Sequence, residues 1–215
     1  GRIWAGTRGE GFILRINDTG KAEKVSYAHL FPGEKAPKVR SMVADSSGIW
    51  MGCTQNNMLF YDYQSEKFRK YKLVLKDARG KETDLQLHNI LKKGNDLIIN
   101  GKGVFLFHPE TGLVERKFSF PYSDFFSISR GNANNYWLGI YHNTVVHLND
   151  SLEEISRYRI GNDLNLVESV CAGDSGDVWA AIMGGGLGHA YTATGKTEFF
   201  TTADGLSNNT TYSIV

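Results

Sequence analysis

At 215 residues and 24.0 kDa the chain is long enough to bury a sizeable core. Its 24 basic and 23 acidic residues are spread along its whole length and leave a net charge of +1, which gives neither a basic stripe for nucleic acid nor an acidic disordered tail. With 24 glycines, 4 prolines and most of its 12 Phe and 10 Tyr residues in short alternating runs, the composition favours many short strands joined by turns, and no apolar run is long enough to span a membrane.

The first residues, Gly1-Arg2-Ile3-Trp4, read as the inside of a strand rather than a signal peptide, so the expectation is a piece of something longer. Residues 2–30 form a repeat that lacks its first strand: Ile3-Trp4-Ala5-Gly6-Thr7 is followed by an apolar run at 12–16, an Asp18-Thr19-Gly20 turn and a strand near 24–27. The second repeat, 39–73, is the most complete. It runs through an apolar strand, the turn Asp45-Ser46-Ser47-Gly48, then Ile49-Trp50-Met51-Gly52, a second apolar run at 58–61, a polar turn, and a strand carrying Phe68 and Tyr71. Four short strands with three tight connections predict one antiparallel sheet, which cannot bury both faces by itself and needs copies alongside.

A long polar excursion over 76–84 predicts a solvated loop or an extended hairpin. The third repeat, 87–120, has Ile98 or Ile99 where the others have tryptophan. The fourth, 125–160, carries Tyr136-Trp137-Leu138-Gly139, and the fifth, 166–201, carries Val178-Trp179-Ala180-Ala181. Residues 210–215 read as the first strand of a further or ring-closing repeat.

The tryptophans set the period. Trp4 and Trp50 are 46 positions apart, Trp137 and Trp179 are 42 apart, and Trp50 and Trp137 are 87 apart, two repeats averaging 43.5. A four-stranded unit at that period is the signature of an all-β propeller of about five blade-equivalents in one domain, 1–215. Each tryptophan is expected to pack between neighbouring blades, with the glycine that follows keeping the inner strand narrow. Two arrangements are open: a five-bladed ring closed by residues 212–215 supplying the missing strand, or part of a larger, for example seven-bladed, ring.

Motifs that mimic catalytic loops dissolve in the repeat. Gly173-Asp174-Ser175-Gly176-Asp177 resembles a serine-protease nucleophile loop but aligns with Asp45-Ser46-Ser47-Gly48, so it is a blade turn. Gly184-Gly185-Gly186 has no Lys-Ser/Thr after it and is not a phosphate loop. The six histidines show no zinc-ligand spacing; no metal or other cofactor is expected. Cys53 and Cys171 occupy different places in their repeats and read as buried apolar side chains.

The recurring order is an apolar strand, Asp/Asn-x-x-Gly, Ile/Val/Tyr-Trp-x-Gly, a second apolar strand, Thr-Gly and aromatic-x-x-aromatic. Gly205-Leu206-Ser207-Asn208-Asn209 precedes the next opening strand. This resembles the two-component regulator propeller repeat. The resemblance implies the periplasmic sensor region of a hybrid two-component system, non-enzymatic in this segment, recognising an oligosaccharide or other small ligand and signalling to a histidine kinase elsewhere in the polypeptide. It further implies contact with other blades or domains of the same polypeptide, a homodimer as one assembly of the full-length protein, and no nucleic acid contacted by this segment. The absent tryptophan of the third repeat and the long 72–86 connection depart from the pattern.

In a propeller the fourth-to-first and second-to-third connections emerge at one end. Here they carry the ligand-site candidates Arg8, Glu10, Gln55, Asn56, Asn57, Lys102, Tyr141, His142, Asn143, Asn162 and Asp163, with His29, Glu34, Lys35, His88, Asn100, Tyr122 and Asn165 beside them. Amides, rings and mixed charges suit sugar hydroxyls and sugar faces. A protein-interaction scaffold, and a lyase or hydrolase relying on His142, are the alternative readings.

Overall fold

Turn chemistry and β-branched or aromatic runs divide the chain into nineteen strands among the described residues. The computed structural model describes residues 3–77, 79–119, 125–132, 134–161 and 165–214. The strands form five sheets in which sequential strands are neighbours. The first holds β1 (Ile3–Gly6), β2 (Phe12–Ile16) and β3 (Ala22–Ser26). The second holds β4 (Val39–Ala44), β5 (Gly48–Cys53), β6 (Asn57–Asp62) and β7 (Lys67–Lys72). The third holds β8 (Asn89–Lys93), β9 (Asp96–Gly101), β10 (Gly103–His108) and β11 (Leu113–Phe118). The fourth holds β12 (Phe125–Arg130), β13 (Tyr136–Ile140), β14 (Thr144–Leu148) and β15 (Glu154–Arg159), and the fifth β16 (Val167–Ala172), β17 (Val178–Ile182), β18 (Gly186–Ala190) and β19 (Thr197–Phe200). No helix among the described residues is long and apolar enough to cross a membrane.

Two compact units partition these strands: Gly1–Ile99 with Phe107–Val114, and Asn100–Leu106 with Glu115–Val215. In the first unit, Trp4 lies 5.3 Å from the Tyr61 ring and 6.2 Å from Tyr63, while Trp50 meets Phe60, Tyr71 and Phe107 at 4.6, 5.4 and 6.2 Å. In the second, Trp137 is 1% exposed and shares a core with Val167, Val170, Val178, Ala180 and Ile182 of the fifth sheet. These three tryptophans therefore pack one sheet on the next. Burying about 150–250 Å² per ring is worth on the order of 4–6 kcal/mol as an upper bound.

The glycine two residues on is required by the same contact. A Cβ at Gly52 would sit 2.5 Å from a Leu87 methyl, and one at Gly139 would sit 2.7 Å from Val167 and 2.5 Å from the Ser127 hydroxyl. Three opening strands also carry a register shift beside the corresponding serine: Val39/Ser41 in β4, Phe125/Ser127 in β12 and Val167/Ser169 in β16. The shift is a bulge that turns one residue out of the ladder. Ser41 Oγ accepts the Ile90 amide at 3.2 Å, and Ser169 Oγ accepts the Ile214 amide at 3.3 Å. The opening segment of one repeat is thus held by a serine of the repeat before it.

Residues 209–214 follow this rule within the second unit. Gly186 N donates to Asn209 O at 2.6 Å, and Thr211 Oγ1 accepts from Ile182 N at 2.8 Å. The segment belongs to no sheet, and the first sheet has three strands among the described residues. The 76–84 excursion is a small hairpin: Lys76 bridges Glu82, and Asp77 Oδ1 accepts the Arg79 and Lys81 amides. The same Asx chemistry closes the blade turns, with Asp45 Oδ1 accepting from Ser47 N, Ser47 Oγ and Gly48 N and Asp45 Oδ2 meeting Lys92 at 2.9 Å. Burial works against ionising Asp45, but the bonds from Ser47 and Lys92 outweigh it and hold its pKa at about 2.

Opposite each tryptophan, the third strand supplies a facing side chain: Arg15, Phe60, His147 and His189 stand across from Trp4, Trp50, Trp137 and Trp179. His147 stacks on Trp137 at 4.1 Å with planes 9° apart, and its Nε2 is buried with no hydrogen-bond partner. Burial lowers the His147 pKa below the ordinary histidine value. The unfolded chain therefore takes the proton first, so the stability that neutral His147 contributes is complete above about pH 6.5 and lost as the pH falls below it. His147→Phe, which copies the Phe60 arrangement, should reduce the fall in melting temperature between pH 7.5 and 5.5; an unchanged pH profile would refute the assignment.

Candidate functional site

Within the first unit, the β1–β2 turn, the 35–38 segment and the β5–β6 turn meet at one end. A Cβ on Gly9 would lie 3.3 Å from Lys38 Cγ and 3.4 Å from Ala36 O, which seats Arg8 and Glu10 beside the β3–β4 connection. Lys38 N donates to Thr54 Oγ1, and Thr54 N donates to Lys38 O, both at 2.9 Å. Tyr27, fully buried, fixes the same connection by donating its hydroxyl to Pro37 O at 2.9 Å.

A cleft of about 550 Å³ opens at this end, lined by Glu34, Lys35, Gln55, Asn57, Lys70 and Lys72. Strand alternation explains the two last residues, because Lys70 and Lys72 share the β7 face of Phe68 whereas Arg69 and Tyr71 take the other. Lys70 Nζ lies over the Phe31 ring at 4.0 Å and donates to Leu30 O at 3.1 Å. Lys72 Nζ donates to Gln55 O at 2.7 Å. Sequence reasoning missed both lysines because it searched connections alone. The signal was the polar alternation of Lys67-Phe68-Arg69-Lys70-Tyr71-Lys72, which carries charges to the end of a fourth strand.

The candidates differ in what their side chains already do. Gln55 and Asn56 have φ of +60° and +55°, the geometry of a two-residue hairpin turn with both central residues left-handed. Gln55 is exposed. Asn56 is engaged: its Oδ1 accepts Leu85 N at 2.8 Å and its Nδ2 donates to Thr83 O at 2.7 Å, clamping the returning arm of the 73–85 hairpin. Asn57, 4% exposed, donates Nδ2 to Thr54 O and Gln55 O. Gln55 is thus the residue of this trio that presents its side chain to solvent.

The second unit repeats the clamp. His142 and Asn143 have φ of +61° and +50°; Asn143 Oδ1 accepts Asn165 N at 3.1 Å, and its backbone carbonyl accepts Ile160 N at 2.7 Å. Asn143 is fully buried, whereas Tyr141 and His142 are exposed with ring centroids 6.4 Å apart. Lys102 is exposed on the β9–β10 turn. Asn162, Asp163 and Tyr122 lie outside the described residues. Asn56 and Asn143 each stand six positions after a tryptophan, a spacing that would have revealed their shared role.

The protease-like loop is also accounted for. Ser175 Oγ donates to Asp177 Oδ1 at 3.0 Å, and His189 Nε2 contacts Asp177 Oδ2 while its ring stacks 3.9 Å from Trp179. Burial opposes ionisation of Asp177, but its bonds with His189 and Ser175 outweigh it and lower its pKa. Both partners point at the carboxylate, so the serine does not face the histidine as a nucleophile must. Among the described residues no three His, Cys, Asp or Glu side chains converge as metal ligands.

At the opposite end of the second sheet, Asp45, Ser46, Trp50, Phe60, Arg69 and Lys92 line another cleft of about 510 Å³. Asp45 and Lys92 are consumed by the turn and by each other, Arg69 bonds Asp62 at 3.0 Å, and Trp50 and Phe60 are 6% and 4% exposed. Ser46, Asn95 and Glu110 are the exposed polar side chains that remain along that cleft.

Solved structures share this architecture. An extracellular domain of B. thetaiotaomicron assigned to a one component system aligns over 98% of the chain with a TM-score of 0.71 and 17% identity. Another from the same organism, assigned to a hybrid two component system, aligns over 99% with a TM-score of 0.68 and 17% identity. The sheets are propeller blades. The chain spans 28% of the length of either protein. A catalytically inactive variant of virginiamycin B lyase from Staphylococcus aureus with quinupristin aligns over 93% of the chain and 66% of its own, with a TM-score of 0.73 and 20% identity. Extracellular domains assigned to one and two component systems and a lyase thus share this blade architecture, so the likeness identifies a fold and not an activity. No protein-family model and no curated protein matches the chain.

The Asn56 clamp is testable. Asn56→Ala removes two hydrogen bonds and puts a Cβ-bearing residue without side-chain compensation at φ +55°, so it should cost about 2–3 kcal/mol in denaturant unfolding. It should also speed exchange of the Leu85 amide. Asn56→Gly, which keeps the turn, should cost less; equal stability of wild type and the alanine variant would show that the clamp contributes nothing.

Proposed function

We propose that the chain is a non-catalytic sensing segment of an extracytoplasmic propeller, that it recognises an oligosaccharide, and that the kinase it informs lies outside this chain. The supporting observation is the cleft at Gln55, whose volume falls in the range of small-ligand sites. Its lining offers an amide, a carboxylate and ammonium groups, a donor and acceptor set suited to sugar hydroxyls. The likeness to extracellular domains assigned to one and two component systems agrees with this reading. A route for the signal starts one residue away: a ligand held by Gln55 pulls on the turn whose next residue, Asn56, clamps the 73–85 hairpin.

The reading is tested by calorimetric titration of the full-length ectodomain with a panel of neutral and charged oligosaccharides. Binding by at least one class is expected, with Gln55→Gly weakening it about tenfold and leaving the melting temperature unchanged, since the side chain is exposed and glycine accepts the left-handed backbone. Absence of binding across the panel would overturn the proposal.

A further inference from the structure

The cleft at Gln55 carries an excess of positive charge. Three ammonium groups, Lys35, Lys70 and Lys72, face it against one carboxylate, Glu34. Lys70 and Lys72 are anchored on the carbonyls of Leu30 and Gln55. Among the described residues neither they nor Lys35 form an ion pair. Three other basic side chains of the same unit are neutralised locally: Arg15 by Glu23 and Glu66, Arg69 by Asp62, Lys92 by Asp45. The contrast has a physical consequence. An ammonium bound to a neutral carbonyl keeps its full charge and further N–H donors, so its field adds to that of its neighbours instead of cancelling. On the adjoining turn and segment, Arg8 and Lys38 add two exposed positive charges and Glu10 one negative charge, so the local balance stays positive.

The anchors also fix position. A surface lysine ordinarily spends side-chain entropy to meet an anion. Here Lys70 lies over Phe31 with its head on Leu30 O, and Lys72 is tied to the turn that presents Gln55. The ammonium groups are held near a common space before any ligand arrives.

We infer that this cleft selects an anionic saccharide, one bearing carboxylate or sulfate groups, with Lys35, Lys70 and Lys72 contacting the charges and Gln55 a hydroxyl. The inference rests on the saccharide reading above and adds the charge class. Glu34 disfavours the anion and limits its affinity.

Calorimetry on the full chain at 50 and 300 mM salt tests it with four probes: a galacturonate tetrasaccharide, a chondroitin sulfate tetrasaccharide, a neutral cello-tetrasaccharide and tripolyphosphate. The acidic tetrasaccharides should bind at least tenfold more tightly than the neutral one and lose affinity at the higher salt. The uronate and sulfate arms show which charged group is preferred. K70M/K72M should weaken acidic binding about tenfold or more, while E34Q should strengthen it about two- to threefold; opposite signs from two exposed sites exclude a folding defect. Tighter binding of the neutral sugar, or indifference to both variants, overturns the charge inference and leaves the saccharide reading standing. Binding of tripolyphosphate alone supports the basic cleft and overturns the saccharide reading. Absence of all binding overturns both.

Discussion

A four-stranded antiparallel sheet has two faces, and a chain of 215 residues built from such sheets is stable only when each covers the next. The tryptophan of the second strand meets that constraint. Trp4 on Tyr61 and Trp50 on Phe107 use rings from the following sheet, and Trp137 buries itself among the valines of the next. Everything close to the contact is shaped by it: the glycines at 52 and 139, without which Leu87 and Val167 could not approach, and the serines at 41 and 169, which receive the backbone of the incoming strand.

Hydrophobic alternation, the tryptophan spacing and the Asp-x-x-Gly turns made strands and repeats legible, because these depend on residues close in sequence. The bulges beside Ser41, Ser127 and Ser169 were not legible: a bulge is a property of a pair of strands and of the next sheet behind them. The site divides in the same way. Gln55 was a candidate from its turn, and it lines the cleft. Asn56 looked equally available, yet its amide meets backbone groups about thirty residues further on, partners that composition cannot disclose. Lys70 and Lys72 were overlooked for the converse reason, since strand residues near a strand's end act as loop residues once the sheet is stacked.

In each unit the turns between second and third strands carry two kinds of polar group with opposite fates. Buried amides such as Asn57 and Asn143 are drawn into the backbone. Exposed ones remain for solvent or ligand, and the charges around them accumulate because their anchors are carbonyls. Binding potential arises where the scaffold has satisfied its own hydrogen bonds and left the net charge unsatisfied.

The asparagine clamp also bears on how such a chain can change over evolutionary time. Asn56 holds its hairpin through the Leu85 amide and the Thr83 carbonyl, and Asn143 holds a far shorter connection through the amide of Asn165. Both contacts use main-chain atoms, so they are indifferent to which side chains the connection carries and to how many residues precede the clamped one. Segments can lengthen or be exchanged at that point without disturbing the blade, which makes it a natural port for new recognition surfaces and for grafted peptides.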